Sequence, residues 1–351
     1  MIEKLVRKNI LKLKPYTSAR DSFLDGILLD ANENSFGSVV KNRNNLQLNR
    51  YPDPAQNELR EKLSKYLNID KNKLFFGVGS DEVIDLLIRI FCTPNKDSVL
   101  IPVPTYGMYK VACDINNVKT LTVPLKKNFQ LDVKAILNKV QKNTKIIFLC
   151  SPNNPTGNIL NKKDVIKILK NFHGIVVVDE AYIDFSEENS LISEIDNYEN
   201  LVITRTFSKA WGLAGIRSGY SIANEVITNL LFKVKAPYNI NKLTANVLLN
   251  ALSNIEKKNS FVVKLNTEKE KLIDKLKEIK QVQKVFPTDA NFILFKIKNA
   301  TDIYNKLAEK GIIIRDRSNQ PRLKDCLRVS VGTPEENKKF IKTLKNILRH
   351  E

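Results

Sequence analysis

The sequence predicts an α/β protein in which a large, mainly parallel sheet lies between helices and is followed by a smaller α+β unit. Three observations carry that expectation. Short β-branched runs alternate with helical patterns through the middle of the chain, as parallel strands joined by crossover helices do. Several of these runs are apolar without interruption, as strands covered on both faces must be. Beyond about residue 240 the pattern changes to a long lysine-rich helical stretch and then to short strands separated by turns.

In chain order, the arm through about Phe36 has too little apolar content to fold alone and is expected, as residues 1–40, to pack on the smaller unit. Residues 41–240 are expected to form the large domain and 241–351 the small one. "FFGVGSDEVIDLLIRIF" reads as a strand, a glycine turn and a helix opening near Ser80, with Ser80 as the plain N-cap. "KIIFLC" precedes an amphipathic helix, "KKDVIKILKNF", with Val165, Ile166, Ile168 and Leu169 at helical spacing. "IVVVD" and "LVITRTF" are two further buried strands. A helical stretch from Asn241 to Lys280 leads to "ANFILFKI", "GIIIRDRS" and "CLRVSVGT", an expected antiparallel sheet.

Composition narrows the function. The chain has 351 residues, is 42% hydrophobic and 27% charged, ordinary values for a globular enzyme. No run approaches the roughly 18 apolar residues of a membrane span, and the start lacks an apolar signal core, so the expected location is the cytoplasm, with no membrane partner. Cys92, Cys113, Cys150 and Cys326 lie far apart without a CxxC pair, which points to neither a disulfide framework nor a metal site. His173 reads as a helix-end residue and His350 lies in the tail, so chemistry must run without a histidine base. The net charge of +19 invites a nucleic-acid reading. The lysines are scattered through helices rather than gathered in an arginine–aromatic stripe, so we read a compositional bias whose field attracts anionic substrates.

The suspicious polar residues fall in loops after strands, where open α/β sheets place ligands. "TRTFSKAWGLAGIRSG" puts Lys209 in a glycine-punctuated, otherwise apolar turn, with Thr206, Ser208 and Arg217 near it. Backbone N–H groups at Gly79, Ser80 and Asp81 would suit a phosphate at a helix N-terminus, although Asp81 and Glu82 require a separate cation there. Tyr106, in "PVPTYGMY", is placed to stack on a flat ring. "CSPNNPTG" pins the Asn154 amide between prolines and a glycine. "VVVDEAYIDF" ends a buried strand with Asp179, three residues before Tyr182. A carboxylate there needs a cationic partner. One cofactor meets all these demands. Pyridoxal phosphate requires a lysine for its Schiff base, an acid for its ring nitrogen, donors to its phenolic oxygen and a phosphate cradle.

"GSDE", "SPNNPTG", "VVDEAY", "TFSKAWGLAGIRSGY" and "LRVSVGT", in this order and over nearly the whole chain, resemble the fold-type-I pyridoxal-phosphate-dependent aminotransferases. "PYTSAR", "LDANEN" and "NRYPDP" resemble the branch that acts on histidinol phosphate in histidine biosynthesis. The resemblance implies a mainly parallel, mixed, seven-stranded large domain and a smaller α+β domain. It implies Lys209 as the Schiff-base and proton-carrying lysine, and Asp179 on the pyridine nitrogen. Asn154 and Tyr182 would hold the phenolic oxygen, and Tyr106 the ring. Arg217, Ser208, Thr206 and the Gly79–Asp81 helix end would bind the phosphate. Tyr51 would reach the partner subunit's cofactor, which implies a homodimer. Arg328 would receive the α-carboxylate of glutamate, with Tyr16, Arg20, Asn32 and Arg315 as further substrate-binding candidates. An aromatic amino acid aminotransferase, a threonine-phosphate decarboxylase of the same fold and a non-catalytic nucleic-acid binder are the rival readings. The last conflicts with the presence of Lys209, Asp179 and Arg217 together.

Overall fold

The computed structural model describes residues 2–15, 17–22, 24, 27, 29–40 and 46–349. Seven strands form the larger sheet: β1 (Leu74–Gly77), β2 (Ser98–Val103), β3 (Lys119–Pro124), β4 (Thr144–Cys150), β5 (Ile175–Asp179), β6 (Leu201–Thr206) and β7 (Gly219–Ala223). Their order is β1-β7-β6-β5-β4-β2-β3. Neighbours run parallel except β7, which is antiparallel to both β6 and β1. The sheet is therefore mixed and seven-stranded, as expected.

The uninterrupted apolar runs have a direct explanation in the period of two along a strand. Val99, Ile101, Ile146, Phe148, Ile175, Val177 and Val202 face one helical layer. Leu100, Ile147, Leu149, Val176, Val178, Leu201 and Ile203 face the other. Ahead of the sheet come two short helical turns, α1 (Lys8–Lys12) and α2 (Ala19–Ser22), and α3 (Asn57–Leu67). Within it lie α4 (Gly79–Phe91), α5 (Met108–Ile115), α6 (Val133–Lys139) and α7 (Lys162–Asn171), and after it α8 (Glu225–Val234) and α9 (Lys242–Leu252). Helices α4, α5 and α8 cover the first face and α3, α6, α7 and α9 the second. His173 is exposed, just past α7.

The long helix α10 (Ile255–Lys277) leads to the second sheet: β8 (Val282–Val285), β9 (Phe292–Ile297), β10 (Arg315–Asp316) and β11 (Cys326–Ser330). It is antiparallel throughout, in the order β10-β11-β9-β8. Ile293, Phe295, Leu327 and Val329 pack against α10, α11 (Ala300–Glu309) and α12 (Pro334–Arg349). The opposite face sends Leu294 and Cys326 into the core of the large sheet, and Phe292 against Tyr182.

Two expectations need correction. The N-terminal arm packs on the large unit: Ile2, Val6 and Ile10 are buried with α4 and α8, and the Arg7 backbone N–H donates to the Ile90 carbonyl at 3.0 Å. Three apolar residues, spread over a short helical turn, a bend and α1, are enough to dock the arm where total apolar content does not suggest it. Ser80 is not the N-cap of α4. Val78 holds that position, and the Glu82 carboxylate turns back to accept its N–H at 2.6 Å, in the manner of the acid of a capping box. The four cysteines are buried and unbridged, and no helix among the described residues is long and apolar enough to cross a membrane.

Candidate active site

Register brings the motif loops to one edge of the large sheet. Cys150 at the end of β4 pairs with Asp179 at the end of β5, and Asp179 pairs with Thr204 on β6. Thr206, where β6 ends, pairs with Gly219, where the antiparallel β7 begins, and Gly219 pairs with Gly77. The Asn154 loop, Tyr182, Lys209, Arg217 and the start of α4 therefore meet in one pocket. Gly219 is needed for this closure. A Cβ there would lie 2.5 Å from the Ser80 nitrogen and 2.7 Å from the Arg205 carbonyl, so any side chain would push the start of α4 off the strands.

Lys209 occupies a tight turn in which the Gly212 N–H donates to its carbonyl at 3.1 Å. The turn is fixed by Trp211, buried against Phe207 at 5.3 Å and edge-on to Tyr66 at 5.8 Å. Lys209 Nζ lies 5.4 Å from the Tyr182 ring centroid. Burial lowers its pKa, and the charges of Arg328 and Arg217 lower it further, against Asp179 and Asp81. Each influence that favours the free amine favours a nucleophile.

Asp179 is buried. Its Oδ2 accepts from the Tyr109 hydroxyl at 2.6 Å and its Oδ1 from the Ala181 N–H at 3.1 Å. Burial nevertheless pushes its pKa up, because these two donors only partly offset desolvation. No cation forms an ion pair with it among the described residues. The carboxylate is thus a strong acceptor that lacks a positive partner, the environment a protonated pyridine nitrogen requires. Above it, Asn154 Nδ2 donates to the Tyr182 hydroxyl at 3.2 Å, and Arg328 Nη1 donates to Asn154 Oδ1 at 2.5 Å. The Arg328 guanidinium also lies 5.0 Å from the Phe292 ring centroid. The amide is aimed from both ends.

At the opposite end of the pocket, α4 presents its N-terminus. Arg217, at φ 51°, reaches over it: Arg217 Nη2 lies 3.5 Å from Asp81 Oδ2, and a Cβ on Gly79 would come within 3.0 Å of that same nitrogen. Asp81 also accepts from the Tyr106 hydroxyl at 3.2 Å. Glu82 is turned away, on the Val78 N–H and, at 3.0 Å, on Asn239 Nδ2. Thr206 Oγ1 accepts the Ser208 N–H at 3.1 Å and fixes the lysine loop. Arg217 therefore supplies the cation beside Asp81, while Glu82 is satisfied by the Val78 and Asn239 donors.

Not every candidate reaches this pocket. Tyr16 lies outside the described residues. Arg20 is buried and ion-paired with Asp30, with Glu33 3.9 Å away, so acids of the arm hold it away from the pocket. Asn32, in a left-handed conformation at φ 54°, and Tyr51 line a separate surface recess with Arg50 and Lys242. Tyr51 stacks on Tyr238 at 4.4 Å. Arg315 is exposed on β10, directly opposite Arg328 on β11.

The structure adds residues that sequence reasoning missed. Tyr109 holds Asp179 and stacks on Phe148 at 4.8 Å, whereas in sequence it is one more aromatic on the apolar face of a helix. Arg205 and Glu180 form a buried ion pair at 2.9 Å. Lys258, buried in the lysine-rich α10, bonds Asp184 at 3.2 Å and Glu187 at 2.7 Å and lies 5.5 Å from the Trp211 ring centroid. It ties α10 to both the Tyr182 and the Lys209 loops.

A half-buried lysine with a lowered pKa, a buried carboxylate without a cation, an aimed amide–phenol pair and an arginine over a helix N-terminus are the donor set that pyridoxal phosphate requires. On a mixed seven-stranded sheet they define a pyridoxal-phosphate-dependent transferase. The description "Aminotransferase class I and II" matches residues 25–344, and the chain belongs to that family. It is 50% identical over 349 residues to the histidinol-phosphate aminotransferase of Flavobacterium johnsoniae, covering 98% of each chain. The crystal structure of the histidinol-phosphate aminotransferase from Clostridium acetobutylicum superposes with a TM-score of 0.80 at 28% identity, covering 87% of this chain and 92% of that one. The enzyme of that name from Sinorhizobium meliloti, solved in complex with pyridoxal-5'-phosphate, shares the fold at a TM-score of 0.78 and 20% identity, over 86% of this chain and 83% of that one.

Proposed function

We propose that the chain is an aminotransferase that interconverts L-histidinol phosphate plus 2-oxoglutarate and imidazole-acetol phosphate plus L-glutamate, acting in the cytoplasm on small molecules rather than on nucleic acid. Full-length identity to relatives of that name supports the reading. The observation that carries the substrate is the pair of arginines facing each other across β10 and β11, neither of them ion-paired to a carboxylate among the described residues. Glutamate places a carboxylate on Cα where histidinol phosphate places CH2–O–phosphate, so one site must accept both anions.

In this reading, bound pyridoxal phosphate supplies an electrophilic aldehyde carbon and an electron-withdrawing ring. Lys209 Nζ would hold the cofactor covalently and, once released, would carry a proton to and from the substrate's Cα. Asp179 would keep a proton on the ring nitrogen. Asn154 and Tyr182 would donate to the phenolic oxygen, and Tyr106 would cover the ring face. Arg217, Ser208, Thr206 and the Gly79, Ser80 and Asp81 N–H groups would hold the phosphate. Arg328 receives the α-carboxylate of glutamate, and Arg315 adds charge for the phosphate of the amine.

Two charge-assisted contacts, each worth roughly 1.5–3 kcal/mol, would separate a phosphorylated from a plain amine by about 10² to 10⁴ in kcat/KM. The expected result is that ordering for histidinol phosphate against histidinol on one preparation, with phenylalanine poorer still. Equal turnover of phenylalanine and histidinol phosphate would transfer the enzyme to the aromatic aminotransferases.

Homodimerisation belongs to the same proposal. Ile27, Leu29, Phe36, Val39 and Tyr51 leave a run of large apolar side chains exposed, which a second copy would cover. Tyr51→Phe is expected to weaken cofactor retention, read as the concentration of pyridoxal phosphate needed for half-maximal activity. A sedimenting monomer with full activity at the assay concentration would refute the shared site.

A further inference from the structure

Arg317 lies two residues beyond Arg315, and its place in the sheet is fixed. Its N–H donates to the Cys326 carbonyl at 2.9 Å, which continues the pairing of Arg315 with Arg328 and of Asp316 with Leu327. With a period of two, Arg315, Arg317, Cys326 and Arg328 therefore share one face. That face turns toward the large sheet, because Cys326 is buried in its core and Arg328 reaches Asn154. Leu327 points the other way, into the core of the small unit. Asp316 is occupied on its own side, accepting from the Thr301 hydroxyl at 2.6 Å and the Ser318 N–H at 2.8 Å.

Three guanidinium groups thus crowd one face of the small sheet, and none is ion-paired to a carboxylate among the described residues. The Nε atoms of both Arg317 and Arg328 are buried without a hydrogen-bond partner, a state that buried donors rarely keep. Arg317 has its guanidinium pKa lowered by burial and by the charge of Arg315, against Tyr182 and Asp316. Arg328 is lowered by burial and by Arg317 and Arg315, against Tyr182. Like charges so placed repel until an anion sits among them. A single carboxylate brings one negative charge, whereas a phosphate monoester carries about −1.5 to −2 near neutral pH and has three acceptor oxygens. The cluster is matched to the larger charge.

We propose that Arg317 is a specificity-determining residue. With Arg315 and Arg328 it completes a three-arginine site for the phosphate ester of the amine substrate, and it contributes little to the binding of glutamate. This rests on the reading of the enzyme as one that takes a phosphorylated amine. It replaces Arg20, which the arm's own acids hold, as the additional cation of that site.

The test uses the holoenzyme and three variants, Arg317→Met, which keeps the stem, Arg317→Lys, which keeps the charge, and Arg317→Ala. Loss of one charge-assisted contact is expected to raise KM for L-histidinol phosphate about 10- to 100-fold in Arg317→Met. KM for glutamate should move less than about threefold and kcat should hold. Inorganic phosphate, as a competitive inhibitor, should weaken in parallel, and Arg317→Lys should recover part of both losses. Parallel rises in KM for both substrates would overturn the proposal in favour of a packing role, and so would a Met variant that keeps the parent's preference. If Arg317→Met and Arg317→Ala fail to fold, Arg317→Lys decides alone: an unchanged inhibition constant for phosphate overturns the proposal. A parent enzyme with no preference for the phosphorylated amine would instead remove the substrate reading itself.

Discussion

Lys209→Ala is expected to retain the fold and to lose transamination by at least about five orders of magnitude, roughly 7 kcal/mol of barrier. The size of the loss follows from the residue's two tasks, since no other amine in the pocket can both attach the cofactor and carry the proton. The tolerance of the fold follows from its surroundings. Lys209 Nζ forms no hydrogen bond among the described residues, and its charged form is disfavoured by burial and by Arg328 and Arg217. Removing the ammonium therefore removes a repulsion rather than a brace. The turn itself is kept by the Gly212 N–H on the Lys209 carbonyl and by the Trp211 anchor, neither of which needs the side chain. Borohydride reduction of the parent holoenzyme should fix the cofactor to the peptide containing Lys209. Far-UV circular dichroism and Tm should stay close to the parent in the variant. Label on a different lysine, or residual activity within a hundredfold of the parent, would end the assignment.

Much of this site was legible before any coordinates because strand ends announce themselves in sequence. An apolar run that stops at a carboxylate, as in "IVVVD", can only be a buried strand delivering Asp179 to its edge. Asn154 between prolines and Lys209 between glycine-rich turns are visible in the same local way. What stayed hidden depends on contacts between distant segments. Tyr109 and Asp179 are separated by 70 residues, Lys258 and Asp184 by 74, and Arg328 and Asn154 by 174. Nothing local marks Tyr109 as different from a core aromatic, or sets Lys258 and Lys269, the two buried lysines of α10, apart from its exposed ones. The register of β10 and β11 likewise decides that Arg317 shares a face with Arg328, and register is a property of two strands read together. The placement of the arm on the large unit follows the same logic. Its apolar content is low, but Ile2, Val6 and Ile10 are buried together, and where the apolar residues fall rather than their total determines docking.

Asp179→Asn is the second large effect. The variant should bind cofactor, because the proposed phosphate cradle at Arg217 and α4 is untouched, and yet stall proton abstraction at Cα by about 10³-fold or more, roughly 4 kcal/mol. The physical reason is the sign of the partner. A buried carboxylate whose pKa is pushed up by desolvation gains a large stabilisation when a positive ring nitrogen arrives, and by the same coupling holds the proton on that nitrogen. The neutral amide of Asn cannot do this. Tyr109→Phe tests the same coupling from behind. It deletes the 2.6 Å donor to Oδ2 and leaves the stack on Phe148, so it should lower kcat by about 10- to 100-fold, the range of one hydrogen bond to a charged group. The decisive measurement is the double variant. If Tyr109 acts only by positioning and polarising Asp179, then Tyr109→Phe should cost almost nothing further in the Asp179→Asn background, a coupling energy nearly equal to its full single effect. Strict additivity would show instead that Tyr109 supports the core independently of the carboxylate. Turnover of Asp179→Asn within tenfold of the parent would remove Asp179 from the ring nitrogen altogether.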